Sequence, residues 1–257
     1  MVAGDCDIGG SYNFAVTRYN ADGSLDTTFN GTGKVVTDIG SATNDGGFSV
    51  TVQLDGKIVV TGVTDSGGTS NFAVTRYNAN GSLDTTFNGT GKLVTDVGIG
   101  SDDLASGVTV QPDGKIVVAG RSDSGGSNDF AVTRYNANGS LDTSFNGTGK
   151  VTTDIGSGTD DFASSVTVQP DGKIVVAGAS LGGGWNFAVA RYNADGSLDT
   201  TFNGVATNTL GGTAAYTENA AAIALDSSVA IYDIDLAAAG NYNGASVSLA
   251  RNGAANA

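Results

Sequence analysis

The chain has 257 residues, a net charge of −14, no His and a single Cys, Cys6. These counts exclude His-based zinc sites, Ser-His-Asp and Cys-His catalysis, and disulfides within the chain. The acidic balance excludes nucleic acid as a partner because it repels phosphate, and the longest apolar runs, such as residues 116–119, are too short to span a bilayer.

A repeat of about 58 residues dominates the first 210 positions. Three sequence segments recur in a fixed order: FAVTRYN, SLDTTFNG and DGKIVV. The first of them returns after 58, 58 and 57 residues, and its four copies begin at Phe14, Phe72, Phe130 and Phe187. The chain begins in register with the repeat, partway along a strand, so we expect it to be a fragment of a longer protein.

Each repeat is predicted to contain four short strands. In the last copy, residues 164–168, 173–177 and 187–192 are the first three strands, because they combine β-branched residues with period-two alternation. The fourth strand is clearest in the preceding copy, at residues 150–155. Pro-Asp-Gly and Asp-Gly sequences supply the turns, since Pro presets the first turn position and Gly accepts a positive φ.

Four short antiparallel strands at a fixed period are typical of a β-propeller blade. The predicted fold class is therefore all-β: a partial β-propeller of about three and a half four-stranded blades, followed by an incomplete β-sandwich tail. So few blades do not close a ring well, and we expect other modules of the parent chain, or self-association through unpaired blade edges, to supply the rest. The predicted blades are residues 1–40 (partial), 48–98, 106–156 and 164–210, and the tail is residues 211–257.

The motifs VTVQPDGKIVVAG and FAVTRYNADGSLDTTFNGTGK, at their 58-residue spacing, resemble the bacterial delta-60 repeat. That family is a propeller-like repeat of large surface and secreted proteins, and the resemblance covers residues 1 to about 210. It implies a propeller-like fold and an extracellular location. It implies no particular activity, because the family is itself largely uncharacterised.

Residues 211–257 have a different, Ala-rich composition. Their stretch 216–235 resembles the opening of a bacterial cadherin-like module, in which an early Glu and a later Asp-x-Asp contribute oxygens to calcium. The resemblance implies metal ligands at Glu218, Asp233 and Asp235, and Ca²⁺ in this tail is the only cofactor expected. The alternative is that these carboxylates are ordinary solvated charges at strand ends.

An Arg and an Asp eight residues later recur in every copy. The Arg shares a strand face with apolar residues, so its guanidinium is expected to lie partly buried between blades and to need a carboxylate partner. We therefore predict a structural ion pair within each blade, with a ring of anion-binding arginines as the alternative. Asp38, Asp96 and Asp154 are predicted to act similarly in the edge turns. The predicted pairs are Arg18–Asp26, Arg76–Asp84, Arg134–Asp142 and Arg191–Asp199.

Three other features have both a structural and a functional interpretation. The Asp-rich turn at residues 20–26 resembles a calcium loop, but two copies replace Asp22 by Asn, which favours turn chemistry. Tyr12 and Trp185 are expected in the loop between the second and third strands, where they stack on sugar rings or pack incidentally on the rim. Cys6 stands where another copy has Ser, which indicates a loop residue rather than a nucleophile.

The sequence predicts a non-catalytic structural or adhesive module of a large bacterial surface or secreted protein, because its Asp residues repeat with the blades and form no unique catalytic pair. The alternative is a carbohydrate-binding, lectin-like propeller with a surface glycan as partner. A third alternative, a fragment of a propeller hydrolase or lyase, requires a unique carboxylate cluster. We expect an extracellular or cell-surface location, since the composition suits export without disulfide formation.

Overall fold

The computed structural model describes residues 1–40, 43–65, 68–123, 126–156 and 158–202, and the backbone of residues 207–210. Across these ranges the chain is all-β and forms four antiparallel sheets, each of which is one blade. The first blade holds β1 (Val2–Ile8), β2 (Ser11–Thr17) and β3 (Lys34–Thr37). The second holds β4 (Asp45–Val52), β5 (Ile58–Thr64), β6 (Asn71–Tyr77) and β7 (Lys92–Thr95).

The third and fourth blades repeat this order. The third holds β8 (Asp103–Val110), β9 (Ile116–Ser122), β10 (Asp129–Tyr135) and β11 (Lys150–Thr153). The fourth holds β12 (Asp161–Val168), β13 (Ile174–Leu181), β14 (Trp185–Tyr192) and β15 (Thr207–Leu210). By the register of the repeat, the three strands of the first blade correspond to the second, third and fourth strands of the others.

The predicted partial propeller is confirmed: three blades are four-stranded, one is three-stranded, and the row is open. The first strands begin at Asp45, Asp103 and Asp161, three residues before the predicted blade starts. In the last blade, Thr207–Leu210 pairs with β14, so this blade also has four strands.

Glycine is required opposite a bulge in each first strand. In the third blade the register shifts between Ala105 and Gly107, and Ala105 lies opposite Gly120. A Cβ atom added to Gly120 would lie 1.9 Å from the carbonyl oxygen of Leu104, so no side chain fits there. Gly62 and Gly178 face the same bulge in their blades.

The hydrophobic cores lie between blades rather than within one sheet. Three clusters of buried residues are found in the described ranges, one at each junction between consecutive blades. The junction between the third and fourth blades, for example, packs Phe130 and Val132 of one sheet with Val166 and Val176 of the other. Each blade therefore depends on its neighbours for burial of apolar surface, as repeat architectures do.

Candidate functional site

A hairpin in each blade brings the predicted Arg and Asp together. After β6 the chain turns at Asn78–Gly81 and returns, so that the Asp84 amide donates to the Arg76 carbonyl oxygen at 2.9 Å. The Arg76 Nε then lies 2.7 Å from Asp84 Oδ2. The structure pairs the other predicted residues likewise: Arg18–Asp26 at 2.8 Å, Arg134–Asp142 at 2.7 Å and Arg191–Asp199 at 2.7 Å.

A lysine joins three of these pairs, and it was not predicted. Lys57 Nζ lies 3.1 Å from Asp84 Oδ2, and Lys173 Nζ lies 2.7 Å from Asp199 Oδ2. Lys115 is less close, at 4.0 Å from Asp142 Oδ2. The signal was present in the sequence, since each of these lysines follows an Asp-Gly turn and recurs with the 58-residue period.

Each Arg also links its blade to the next one. Arg76 Nη1 donates to the carbonyl oxygen of Ala137, in the hairpin of the third blade, at 2.5 Å. The guanidinium lies over the ring of Phe87, 4.8 Å from its centroid, which adds a cation–π contact. Arg18 and Arg134 make the same contacts, to Ala79 and to Ala194.

These contacts shift the acidity of the paired carboxyls. Lys173 and Thr201 hydrogen-bond to Asp199 and hold its pKa well below the usual range, with a further contribution from Arg191. Burial raises the pKa of Asp84, but hydrogen bonds from Thr86, Lys57 and Arg76 outweigh burial and hold this pKa low as well. Both carboxyls are therefore ionised at neutral pH and act as structural anions.

Further aspartates in the edge turns accept backbone amides instead of pairing with Arg. Asp103 is buried, and its Oδ2 accepts the Val97 amide at 2.6 Å. Asp154 accepts the amides of Gly156 and Gly158 at 3.1 Å and 2.8 Å. Asp96 likewise accepts the amide of Gly100 at 3.2 Å. The prediction that Asp38, Asp96 and Asp154 act like the ion-paired aspartates is therefore wrong for Asp96 and Asp154, because their carboxylates accept backbone amides of the turn that follows them.

One acidic group departs from the repeat. Carboxylate oxygens of Asp129, Asp154 and Asp161 lie within 4.8 Å of one another, where the third blade meets the fourth. Burial, with the charges of Asp154 and Asp161, raises the pKa of Asp129 to about 6. The other copies have Asn13, Asn71 and Asn186 at this position. Three carboxylates are the ligand type that a divalent cation uses, but Asp154 and Asp161 already accept turn amides.

The predicted rim aromatics belong to strands, not to loops. Tyr12 lies in β2 and Trp185 begins β14, because short Gly turns connect the second and third strands in these two blades. Trp185 is 68% exposed, and its ring centroid lies 5.3 Å from that of Phe162. Trp185 also borders a groove of about 440 Å³ with Phe187, which is 70% exposed. Tyr12 lies on the first blade, away from this groove.

The remaining predicted features have structural roles or lie beyond the described residues. Asp22 Oδ1 accepts the amide and hydroxyl of Ser24 at 2.9 Å and 2.6 Å, and Asn80 makes the same contacts with Ser82, which is turn chemistry. Cys6 is a free thiol in β1, and so a strand residue. The predicted calcium ligands Glu218, Asp233 and Asp235 lie outside the described residues.

The described part of the chain contains no helix with the length and apolar character needed to cross a membrane. A comparison with curated proteins finds no match. A comparison with protein families matches residues 1–29, 53–87, 111–145 and 169–202 to the family described as "Domain of unknown function (DUF5122) beta-propeller". The matched segments contain the hairpins and second strands that build the Arg–Asp–Lys contacts. Because they cover just over half of the chain, this protein belongs to the DUF5122 beta-propeller family.

Proposed function

We propose that this chain is a non-catalytic structural and adhesive module, of the delta-60 type, in a large bacterial surface or secreted protein. The observation that carries the proposal is the use of the recurring charges. Asp84 pairs with both Arg76 and Lys57, and this contact holds the hairpin of the blade. The same Arg76 donates a hydrogen bond to the next blade. The same set returns in the third and fourth blades. Residues that recur in this way serve the assembly of blades.

The acidic group at Asp129 does not favour a hydrolase or lyase. A glycosidase needs one carboxyl as acid and another as nucleophile or base, both facing substrate. Asp161 is fully buried and Asp154 caps a turn, so two of the three carboxyls hold backbone amides. Asp129 alone remains without such a role.

The adhesive role is tested by displaying the chain on a non-adhesive Gram-negative cell and measuring retention of these cells on other cells and on extracellular matrix. We expect retention by the parent chain and loss of retention with Gly120→Ala, which disrupts a blade. The matched control is Gly4→Ala, because a Cβ atom added at Gly4 would meet nothing within 4 Å. Equal retention by empty cells, or turnover of glycosides by the parent that Asp129→Asn abolishes, would contradict the proposal.

Carbohydrate binding is the second candidate, and Trp185 is the observation in its favour. An exposed indole beside Phe162 and the groove at Phe187 is a surface on which a sugar ring can stack. The three counterparts of Phe187 are Phe14, Phe72 and Phe130, and all are fully buried against the next blade. In the first three blades the next blade therefore covers the equivalent face. A glycan array that reports binding to the parent chain and none to Trp185→Ala would establish the lectin role.

Calcium in the cadherin-like tail is a separate proposal that rests on Glu218, Asp233 and Asp235. Titration calorimetry of the full chain with Ca²⁺ is expected to show weak binding, on the order of millimolar, as in extracellular modules. The variant with Asp233→Asn and Asp235→Asn is expected to show none. Equal heats from both proteins would place the ions elsewhere.

A further inference from the structure

The outer face of the fourth blade exposes apolar side chains at positions that the other blades bury. Phe187 is 70% exposed and Trp185 is 68% exposed, and both border the groove described above. The counterparts of Phe187 in the first three blades are fully buried. Residues 211–257 follow this blade in the chain and lie outside the described residues. Within the described part of the chain, Phe187 therefore lacks the element that covers its counterparts.

The first strand of the following repeat helps to bury this phenylalanine in the other blades. Phe130 lies in one buried cluster with Ala163 and Val166 of β12. The corresponding cluster one blade earlier contains Phe72, Ala105 and Val108. Each of these first strands thus supplies a small residue and a Val to the apolar contact between two blades.

Glu218 stands where the next first strand would begin. The described first strands start with an Asp that lies 31 residues after the phenylalanine of the preceding blade, namely Asp45, Asp103 and Asp161. Glu218 lies 31 residues after Phe187. The path of the chain is also the same, because Leu210 pairs with Phe187 as Thr153 pairs with Phe130. An acidic residue therefore recurs at the start position of a first strand.

Residues 218–225 also have the apolar pattern of a first strand. In β12 a small residue follows the Asp after two positions, and Val follows after five and seven positions, at Ala163, Val166 and Val168. The same places after Glu218 hold Ala220, Ile223 and Leu225. The side chains that would face Phe187 are therefore of the same type as those that bury Phe130.

A backbone hydrogen bond fixes the start of each later first strand on the blade before it. The Asp103 amide donates to the Ser70 carbonyl oxygen at 2.8 Å, and the Asp161 amide donates to the Asn128 carbonyl oxygen at 2.6 Å. Trp185 is the counterpart of Ser70 and Asn128 in the fourth blade. Its carbonyl oxygen is therefore the acceptor that a strand beginning at Glu218 would use.

We propose that residues 218–225 pack as an extended strand on the outer face of the fourth blade, with Ile223 beside Phe187 as Val166 is beside Phe130. The repeat pattern ends with this strand. Asp235 holds the place at which the second strands have a glycine, and a side chain does not fit opposite the bulge there. The segment therefore ends the row of blades instead of extending it.

The inference does not depend on the adhesive role proposed above. It makes the groove beside Trp185 a contact within the chain rather than a sugar site. It also gives Glu218 the turn role of Asp161, whose Oδ2 accepts the Ile155 amide at 2.6 Å, so that calcium in the tail would depend on Asp233 and Asp235.

Cover of the face is tested in the full chain by acrylamide quenching of Trp185, which is the only tryptophan. We expect Ile223→Asp to raise the quenching constant by about twofold or more, because a charge cannot stay buried beside Phe187. Ala224→Asp is the matched control and should leave quenching unchanged, since alternation places it on the opposite face of the strand. Equal quenching of the parent and of Ile223→Asp would overturn the proposal. So would protection of Trp185 that grows with protein concentration, because a second copy would then cover the face.

The position of the strand is tested by disulfide trapping in the full chain, with Cys6→Ser to remove the only native thiol. Adjacent first strands approach closely, since a Cβ added at Gly107 would lie 3.1 Å from the Ser165 Cα. The counterparts one blade later are Ser165 and Ala222. We expect Ser165→Cys with Ala222→Cys to form a disulfide at least about tenfold faster than Ser165→Cys with Ala230→Cys, because only the first pair lies within bonding distance. Equal rates for the two pairs would contradict the proposed strand.

Discussion

Arg76 Nε lies 2.7 Å from Asp84 Oδ2, and both side chains are only 4% exposed. The corresponding pair in the first blade, Arg18 and Asp26, has nearly the same separation, 2.8 Å, but its side chains are 23% and 21% exposed. In the first pair, Arg18 Nε also lacks the alignment of a hydrogen bond to Asp26. One ion pair is therefore present in two environments within a single chain, which makes its contribution measurable.

Breaking a buried pair should cost more than breaking the half-exposed one. We expect Arg134→Met to lower the free energy of unfolding by about 2–4 kcal/mol, because it leaves Asp142 buried without its guanidinium. Arg18→Met should cost clearly less than Arg134→Met, since water solvates Asp26. Urea denaturation of both variants measures the difference. Equal losses would mean that the pairs contribute through packing on Phe145 and Phe29 alone.

Asp129 should make stability fall as the pH rises. Its pKa is raised to about 6, chiefly by burial and then by Asp154 and Asp161, whereas an Asp in the unfolded chain titrates near 3.9. The folded state therefore holds the proton more tightly, and the resulting stabilisation is present below about pH 4 and is lost as the pH rises through about 6. Relative to the parent, Asp129→Asn should gain about 1–2 kcal/mol between pH 4 and pH 7, allowing for partial solvent screening.

The reverse substitution provides the control for Asp129. Asn71 holds the same position in the second blade, with Asp96 and Asp103 at the places of Asp154 and Asp161. Asn71→Asp should introduce the same loss of stability between pH 4 and pH 7, in addition to a pH-independent loss of the hydrogen bond to the Thr69 carbonyl oxygen. Thermal melts at half-unit pH steps separate the two effects. A parent profile that runs parallel to that of Asp129→Asn would refute the assignment.

The sequence repeat made much of the fold, and the Arg–Asp ion pairs, predictable. An Arg and an Asp eight residues apart, on either side of an Asn-Gly or Asp-Gly turn, must face each other in a hairpin, and the structure brings them together. The lysine was predictable on the same ground, because Lys57 recurs with the period. Asp129 was also visible in the sequence, since comparison of the copies shows Asn at its position elsewhere.

The contacts between blades could not be read from residue types. The acceptor for Arg76 is the backbone carbonyl of Ala137, 61 residues away, and a carbonyl oxygen leaves no signature in a sequence. The turn role of Asp154 was missed for a related reason, because its partners are backbone amides. Such contacts depend on the position of one sheet relative to the next. Packing of the buried side chains between the blades determines that position.

A tyrosine–threonine hydrogen bond connects neighbouring blades and should contribute modestly to stability. Tyr135 Oη donates to Thr95 Oγ1 at 2.8 Å, and burial raises the pKa of Tyr135 to about 12, so the hydroxyl stays protonated. We expect Tyr135→Phe to cost about 1 kcal/mol, because Thr95 then loses a buried partner. Tyr19→Phe is the matched control and should cost nearly nothing, since Tyr19 is 46% exposed. A double-mutant cycle with Thr95→Val that shows no coupling would contradict the bond.

Gly120 and Gly4 hold the same position of the repeat and should respond in opposite ways to alanine. In Gly120→Ala the new Cβ would lie 1.9 Å from the Leu104 carbonyl oxygen and 2.8 Å from the Ala105 Cα, so β8 must move away from β9. We expect a loss of more than about 2 kcal/mol, or failure of the third blade to fold. In Gly4→Ala nothing lies within 4 Å of the new methyl, and alanine restricts the unfolded chain more than glycine does, so stability should stay within about 0.5 kcal/mol of the parent or rise slightly. Thermal unfolding followed by circular dichroism compares the two variants directly. A large loss in Gly4→Ala would contradict the free space around Gly4, whereas tolerance of Gly120→Ala would mean that the bulge of β8 can relax around a methyl group.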